Sequence, residues 1–359
     1  MVTVSLCMIV KNEEDVLARC LESVTGLVDE IVIVDTGSTD QTREIAKRFT
    51  NRVYDFAWTD DFAEARNYAF SLAGKDYSMW LDADDVILEP DRAAFRELKE
   101  ALDPTVCVVM AKYNTGFDEN GNVTFSYFRE RLIKNNIGLR WKGAVHEAIT
   151  PTGRVLYSDF AVTHRKTRPS DPERNLRIYE KQLAQGVELE PRQQFYYGRE
   201  LYYHRRYEDA ARVFERFLDE GRGWLENNID ACCQCAYCYE RIEQPEKALQ
   251  SLLRSFTYDR PRAEVCCELG RWFFQRENMS LAAYWYSLAL TCARDDSRGG
   301  FVSPDCYGYL PYIQLCVCYS RMGDLERAKR MNELAASFKP DADAVQHNRK
   351  FFRSLSAGK

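Results

Sequence analysis

The sequence predicts two domains of different class: an α/β domain built on a mostly parallel sheet, then an all-α array of paired helices. Three observations carry this expectation. In residues 1–170 short β-branched runs alternate with amphipathic stretches, the pattern of a parallel sheet with crossover helices. From about Pro191 onward strands vanish, and small and aromatic residues recur at helical spacing. The length of 359 residues also exceeds what one core usually organises.

Val2–Val10 is a buried-strand run, followed by the polar loop Lys11, Asn12, Glu13, Glu14 and a helix through Ser23. Glu30–Val34 is a second strand. The loop Asp35-Thr36-Gly37-Ser38-Thr39-Asp40 then supplies a glycine turn and a helix cap before the helix Gln41–Phe49. A third strand is expected at Arg52–Asp55, a helix at Asp61–Ala73 and a fourth strand at Tyr77–Leu81. Ligands of such sheets gather at the carboxyl ends of the strands. Lys11–Glu13, Asp35–Ser38 and Asp82–Asp85 all follow strands, so three polar loops fall on one edge. In Trp80-Leu81-Asp82-Ala83-Asp84-Asp85 an apolar run ends in clustered carboxylates. Mg²⁺ and Mn²⁺ are held by one or two carboxylates plus substrate phosphates, so this cluster suggests a nucleotide-diphosphate site; the alternative is a solvated acidic turn capping the next helix.

Ser5-Leu-Cys-Met-Ile-Val-Lys-Asn-Glu-Glu14, Val34-Asp-Thr-Gly-Ser-Thr-Asp40, Ala65-Arg-Asn67 and Leu81-Asp-Ala-Asp-Asp85 resemble, in order and spacing, the family 2 glycosyltransferases. These have the GT-A fold, a Rossmann-like, mostly parallel α/β sheet. Within them the chain looks like the branch of bacteriocin-peptide S-glycosyltransferases and lipopolysaccharide-core glucosyltransferases. The resemblance spans residues 1–170. It implies a nucleotide-sugar donor, a UDP-sugar, cradled by Val10, Lys11, Asn12 and Glu13, by Asp35, Thr36, Gly37 and Ser38, and by Asp82 and Ala83. Asp35 stands where relatives contact the nucleobase; many carry two consecutive acids there, and this chain has Asp35-Thr36. Arg66 and Asn67 would reach the phosphates or ribose, the alternative for Arg66 being an exposed helical cation. Asp82 and Asp84 would form an Asp-x-Asp motif for Mn²⁺ or Mg²⁺, with Asp84 and Asp85 as direct ligands and Asp82 closer to the ribose. The cation would stabilise the diphosphate leaving group as a Lewis acid.

Phe128–Lys134 reads as a strand, and after a turn at Asn135-Asn136 the stretch Trp141–Glu147 resembles the segment that closes the active site in this branch. An inverting transfer needs a base to deprotonate the acceptor. Glu147 is the candidate; His146 is either that base or a metal ligand. His164 is a further metal or diphosphate contact, with Arg165, Lys166 and Arg168 adding positive charge, although this run also reads as a solvated linker. The sequence implies a protein or peptide acceptor recruited by the repeats. A cell-envelope glycan or glycolipid acceptor, or a catalytically inactive binding scaffold, are the alternatives.

In the second half Gly198, Ala236, Gly270 and Cys316 share a register, Ala210, Ala248, Ala282 and Ala328 follow twelve residues later, and Leu201, Tyr239, Phe273 and Tyr319 lie three after the first set. This is the tetratricopeptide pattern of paired helices, and the spacing from Ala236 to Gly270 equals the usual repeat of about 34 residues. The expected layout is a GT-A domain over 1–170, a linker or connecting helix over 171–190, four repeats over 191–340 with a loop inserted at Asp295–Asp305, and a helix or tail over 341–359. Cys232, Cys233, Cys235 and Cys238 invite a zinc reading, but the register makes them packing positions. Thirteen cysteines, no secretory signal and no membrane-length apolar run suggest a cytoplasmic protein without an integral membrane segment. A net charge of -6 gives no reason to expect nucleic acid. Homodimerisation is compatible with a repeat array.

Overall fold

The computed structural model of the chain describes residues 1–118, 121–167, 171–295, 299–300 and 302–357. Arg168, Pro169 and Ser170, where the basic run ends and the linker opens, lie outside the described residues, as do positions 296–298 and 301 of the inserted loop. The chain divides into two compact units, Met1–Gln193 and Gln194–Lys359.

The first unit begins with β1 (Val4–Val10), α1 (Leu17–Val24), β2 (Glu30–Asp35), α2 (Thr42–Lys47), β3 (Val53–Asp55), α3 (Phe62–Ser71) and β4 (Tyr77–Met79). Strand alternation divides β1 between two cores. Val4, Leu6 and Met8 join Leu17, Leu21 and Val24 of α1 on one face, and Cys7 meets Val32, Val34 and Ala69 on the other. β1 pairs in parallel with β2 and β4, and β2 with β3. The fourth strand stops two residues short of the expected Leu81. Trp80–Asp84 therefore leave the ladder as a loop at the sheet's carboxyl edge.

The second half of the sheet comprises β5 (Asp85–Val86), β6 (Val108–Phe117), β7 (Val123–Lys134) and β8 (Val155–His164), with α4 (Glu89–Ala101) between β5 and β6. The order is β3-β2-β1-β4-β7-β6-β8-β5. The sheet is more mixed than the parallel pattern of the first half suggests: β7 is antiparallel to both β4 and β6, and β5 to β8. A short connection between β6 and β7 permits only antiparallel pairing. Leu139–Glu147 is irregular apart from one bridge between Lys142 and Ala148. α5 (Arg174–Ala184) buries Leu176, Ile178 and Tyr179 within this unit.

The second unit is helical, entered through α6 (Pro191–Tyr203), whose first three residues belong to the first unit, and continued by α7 (Tyr207–Glu220), α8 (Leu225–Arg241), α9 (Pro245–Arg254), α10 (Ala263–Gln275), α11 (Met279–Ala289), α12 (Tyr309–Arg321), α13 (Leu325–Phe338) and α14 (Asp343–Ala357). The small-residue register has a steric cause. A Cβ on Gly198 would lie 2.7 Å from the Phe214 ring, and one on Gly270 2.8 Å from Tyr286. Ala210, Ala248, Ala282 and Ala328 are each 0% exposed. The four turns inside the helix pairs share one device, a single left-handed residue, at Arg205, Glu243, Glu277 and Gly323. On α8, Cys232, Cys233, Cys235 and Cys238 are buried free thiols, and burial pushes Cys232 and Cys235 up to about 12. Among the described residues no helix is long and apolar enough to cross a membrane.

Candidate active site

The loops after β1 and β2 are tied to each other before any ligand arrives. Asn12, with φ of 55°, donates its amide to Ser38 Oγ (2.9 Å) and accepts from the Thr39 amide (2.7 Å). The Glu13 amide reaches Thr42 Oγ1 at 2.6 Å. Val10 is buried, and its carbonyl accepts from both the amide and the hydroxyl of Thr36. Lys11 is exposed. The Asp35 carboxylate, 2% exposed, accepts from the Ser38 amide (3.0 Å) and the Gly37 amide (3.3 Å), and Gly37 can turn back in this way because its φ of 102° suits glycine.

Sheet pairing assembles the acidic cluster. Asp85 opens β5, and its register partner on β8 is His164. His164 Nδ1 lies 3.2 Å from Asp85 Oδ1 and 3.4 Å from Asp84 Oδ1. Among the described residues Asp84, Asp85 and His164 form a group whose potential ligand atoms lie within 4.8 Å of one another. Burial, and then the like charges of Asp82 and Asp85, raise the Asp84 carboxyl above the ordinary aspartate range although His164 acts the other way. The hydrogen bond to Asp85, and next the charge of Asp84, raise His164. Concentrated negative charge beside an imidazole is a donor set that suits Mn²⁺ or Mg²⁺. The backbone fixes the neighbourhood further, since the Arg165 amide donates to the Asp84 carbonyl at 2.9 Å. Ala83 is buried between the two acids.

Arg66 joins this cluster to the Trp141–Glu147 segment. It is 5% exposed, not the surface cation that a helical arginine usually is. Its Nε donates to Glu147 Oε1 and its Nη2 to Asp82 Oδ1, both at 2.7 Å. The guanidinium lies 4.7 Å from the Trp80 ring centroid and 5.1 Å from that of Trp141. Burial works against Asp82 ionising, but Arg66 beside it prevails and holds the carboxyl below its ordinary range. Asn67 uses its amide in both directions on the Trp141 backbone, at 2.9 and 3.0 Å. Arg66 and Asn67 thus pin the Trp141–Glu147 segment to the end of β4.

His146 lies outside the three-residue group. Its φ of 51° is left-handed, its Nε2 is 3.5 Å from Asn175 Nδ2, and its carbonyl accepts from Arg192 Nε at 3.1 Å. Strain of this kind in a non-glycine residue often accompanies a functional loop.

Tyr113 and Arg131, which no motif in the sequence marks, both touch the cluster. The Tyr113 hydroxyl is 2.9 Å from Asp85 Oδ1 and 3.0 Å from His164 Nδ1. Arg131, wholly buried, donates to the Trp80 carbonyl (3.1 Å) and Asp85 Oδ2 (3.4 Å). A signal for Arg131 existed: in Phe128-Arg-Glu-Arg-Leu-Ile-Lys134 two arginines and a glutamate stand directly before the apolar pair Leu132 and Ile133, and the structure buries Glu130 through Ile133 where the register against β6 shifts.

Residues 5–160 match the family model described as Glycosyl transferase family 2. A TPR repeat-containing protein of Synechococcus elongatus is 38% identical over 150 residues, which cover 42% of this chain and 36% of that protein. The SPbeta prophage-derived glycosyltransferase SunS of Bacillus subtilis is 27% identical over 230 residues, covering 60% of this chain and 53% of that protein. The lipopolysaccharide core biosynthesis glycosyltransferase LpsC of Rhizobium meliloti is 28% identical over 158 residues, covering 42% of this chain and 58% of that one. The chain thus spans between about a third and just over half of the length of these curated relatives.

Proposed function

We propose that this chain, whose residues 5–160 form a family 2 glycosyltransferase domain of GT-A fold ahead of tetratricopeptide-type repeats, moves a sugar from a UDP-sugar to a protein or peptide acceptor recruited by the repeats. The observation that carries this reading is the convergence of Asp82, Asp84, His164, Arg66 and Glu147 at the carboxyl edge of the sheet. Asp84 and His164, with Asp85 beside them, would hold Mn²⁺ or Mg²⁺. A bound cation would supply Lewis-acid stabilisation of the charge that develops on the diphosphate. Val10–Glu13 and Asp35–Ser38 would form the nucleotide cradle, its two loops already joined through Asn12 and Ser38. The Glu147 carboxylate would take the acceptor's proton as the acceptor attacks from the face opposite the leaving group, giving inversion. Arg66 would hold that carboxylate oriented through its Nε. Helical-pair arrays present extended surfaces suited to a polypeptide, which supports the acceptor class. Free cysteines throughout favour a reducing, cytoplasmic setting.

A second reading is transfer to a cell-envelope glycan, favoured by the likeness to LpsC. One experiment separates the two. The purified chain is given UDP-sugars and Mn²⁺ with either a peptide panel or lipopolysaccharide core fragments, and products are weighed by mass spectrometry. A hexose increment on peptide supports the first reading, and one on glycan the second. Absence of nucleotide release from every sugar nucleotide offered would remove both.

A further inference from the structure

The acidic cluster holds more carboxylate than a cation site of this kind uses, and the hydrogen bonds separate the parts. Asp85 is 0% exposed at its side chain, whereas Asp84 and His164 are 24% and 25% exposed. Both Asp85 oxygens are already occupied. Oδ1 faces the Tyr113 hydroxyl at 2.9 Å and His164 Nδ1 at 3.2 Å. Oδ2 accepts from the Asp82 amide at 3.1 Å and from Arg131 Nη1 at 3.4 Å. A cation drawing on this carboxylate would compete with a buried guanidinium for it. Asp84 has no such arginine beside it among the ion pairs of the described residues.

Resting on the metal-dependent reading above, we propose that Tyr113 is a positioning residue for the cation, and that Asp85 supports His164 without ligating. The Tyr113 hydroxyl bridges Asp85 Oδ1 and His164 Nδ1, the latter at 3.0 Å, and its ring meets the imidazole edge-on with centroids 5.8 Å apart. Two contacts, one polar and one ring to ring, fix both the position and the rotation of the imidazole. Arg131 backs the arrangement from behind, its guanidinium 4.4 Å from the Tyr113 ring centroid and 3.8 Å from that of Trp80. Imidazole ligands are commonly oriented by a carboxylate that engages their other nitrogen, and loss of such a partner typically costs about 10- to 100-fold in metal affinity. Here the carboxylate is itself held by a phenol and a guanidinium on two further strands, β6 and β7.

The test is a Mn²⁺ titration of the full chain in the presence of UDP, following the electron paramagnetic resonance signal of free Mn²⁺. Tyr113→Phe keeps the ring against Arg131 and His164 and removes only the hydroxyl. Its Mn²⁺ dissociation constant should rise by about 10- to 100-fold, while UDP affinity measured without metal stays at the parent value. A parent chain that binds Mn²⁺ and a Tyr113→Phe chain that binds it equally well would overturn this inference and leave the metal-dependent reading standing. A parent chain that binds no Mn²⁺ would remove both. Loss of metal-free UDP binding in Tyr113→Phe would mark Tyr113 as a residue of general structural importance and likewise overturn the positioning role.

Discussion

At the scale of single residues, Arg66 is one buried cation shared by two carboxylates for which different tasks are proposed. It bridges Asp82, proposed to face the donor, and Glu147, the proposed base. Glu147→Gln preserves shape and much of the hydrogen bonding but removes the proton acceptor, so turnover should fall about 10²-fold or more with donor affinity nearly unchanged. Steady-state kinetics with separate kcat and KM read this directly. Asp84→Ala should instead abolish transfer and the Mn²⁺-dependent part of donor binding, with Tm close to the parent because the side chain is partly exposed. Acidity adds a third expectation. Asp84 and His164 both have raised pKa values in the folded chain. Protonated His164 stabilises the metal-free fold below its unfolded value of about 6.5, and that contribution is lost as pH rises through its higher folded value. Ionised Asp84, by contrast, is a burden that appears as pH rises. A cation binds the neutral imidazole and the carboxylate, so the Tm gain from Mn²⁺ should grow from mildly acidic to neutral pH; a gain that shrinks over that interval would contradict the assignment. The acids and the arginine were legible in the sequence because motif order and strand ends place them. Tyr113 was not, because nothing local distinguishes a tyrosine that reaches a carboxylate 28 positions away from one that packs in a core.

At the scale of elements, the sequence revealed β1 to β4 and α1 to α3, but β3 only weakly, since none of its three residues is buried. It did not reveal β6, β8 or α4. Lys112 and Asn114 interrupt the apolar run of β6, and in α4 only Phe95 and Lys99 are buried. The pairing of β5 with β8 has no local signature at all, yet it is what brings His164 to Asp85. In the repeats, small residues and turns were legible to different degrees. The alanine register is an explicit steric pattern. The left-handed turn residue is hidden, because three of its four occurrences are not glycine: Arg205, Glu243 and Glu277 have φ between 57° and 60°. Such a conformation costs a non-glycine residue about 1–2 kcal/mol, partly offset by glycine's greater freedom when unfolded. Glu277→Gly should therefore stabilise the chain by about 0.5 kcal/mol in urea unfolding. Gly270→Ala should do the opposite, by about 1–3 kcal/mol, because the new methyl would press on Tyr286.

At the scale of the whole molecule, the proposed division of work between the two compact units can be tested by cutting between them. A chain ending at Gln193, the last residue of the first unit, should keep UDP binding and slow hydrolysis of the sugar nucleotide while losing transfer to a macromolecular acceptor. Parent-rate modification of a full-size acceptor by that fragment would reassign the repeats to assembly or localisation. The thiols of α8 have a consequence of another kind. Alkylating reagents attack thiolate and need access, and burial denies both to Cys232, Cys233, Cys235 and Cys238. Their labelling is thus silent while the helix is packed and begins only when it opens. The chain carries an internal clock for the breathing of its repeats: the rate at which these four masses appear under mild alkylation reports the free energy of local opening, without any engineered probe.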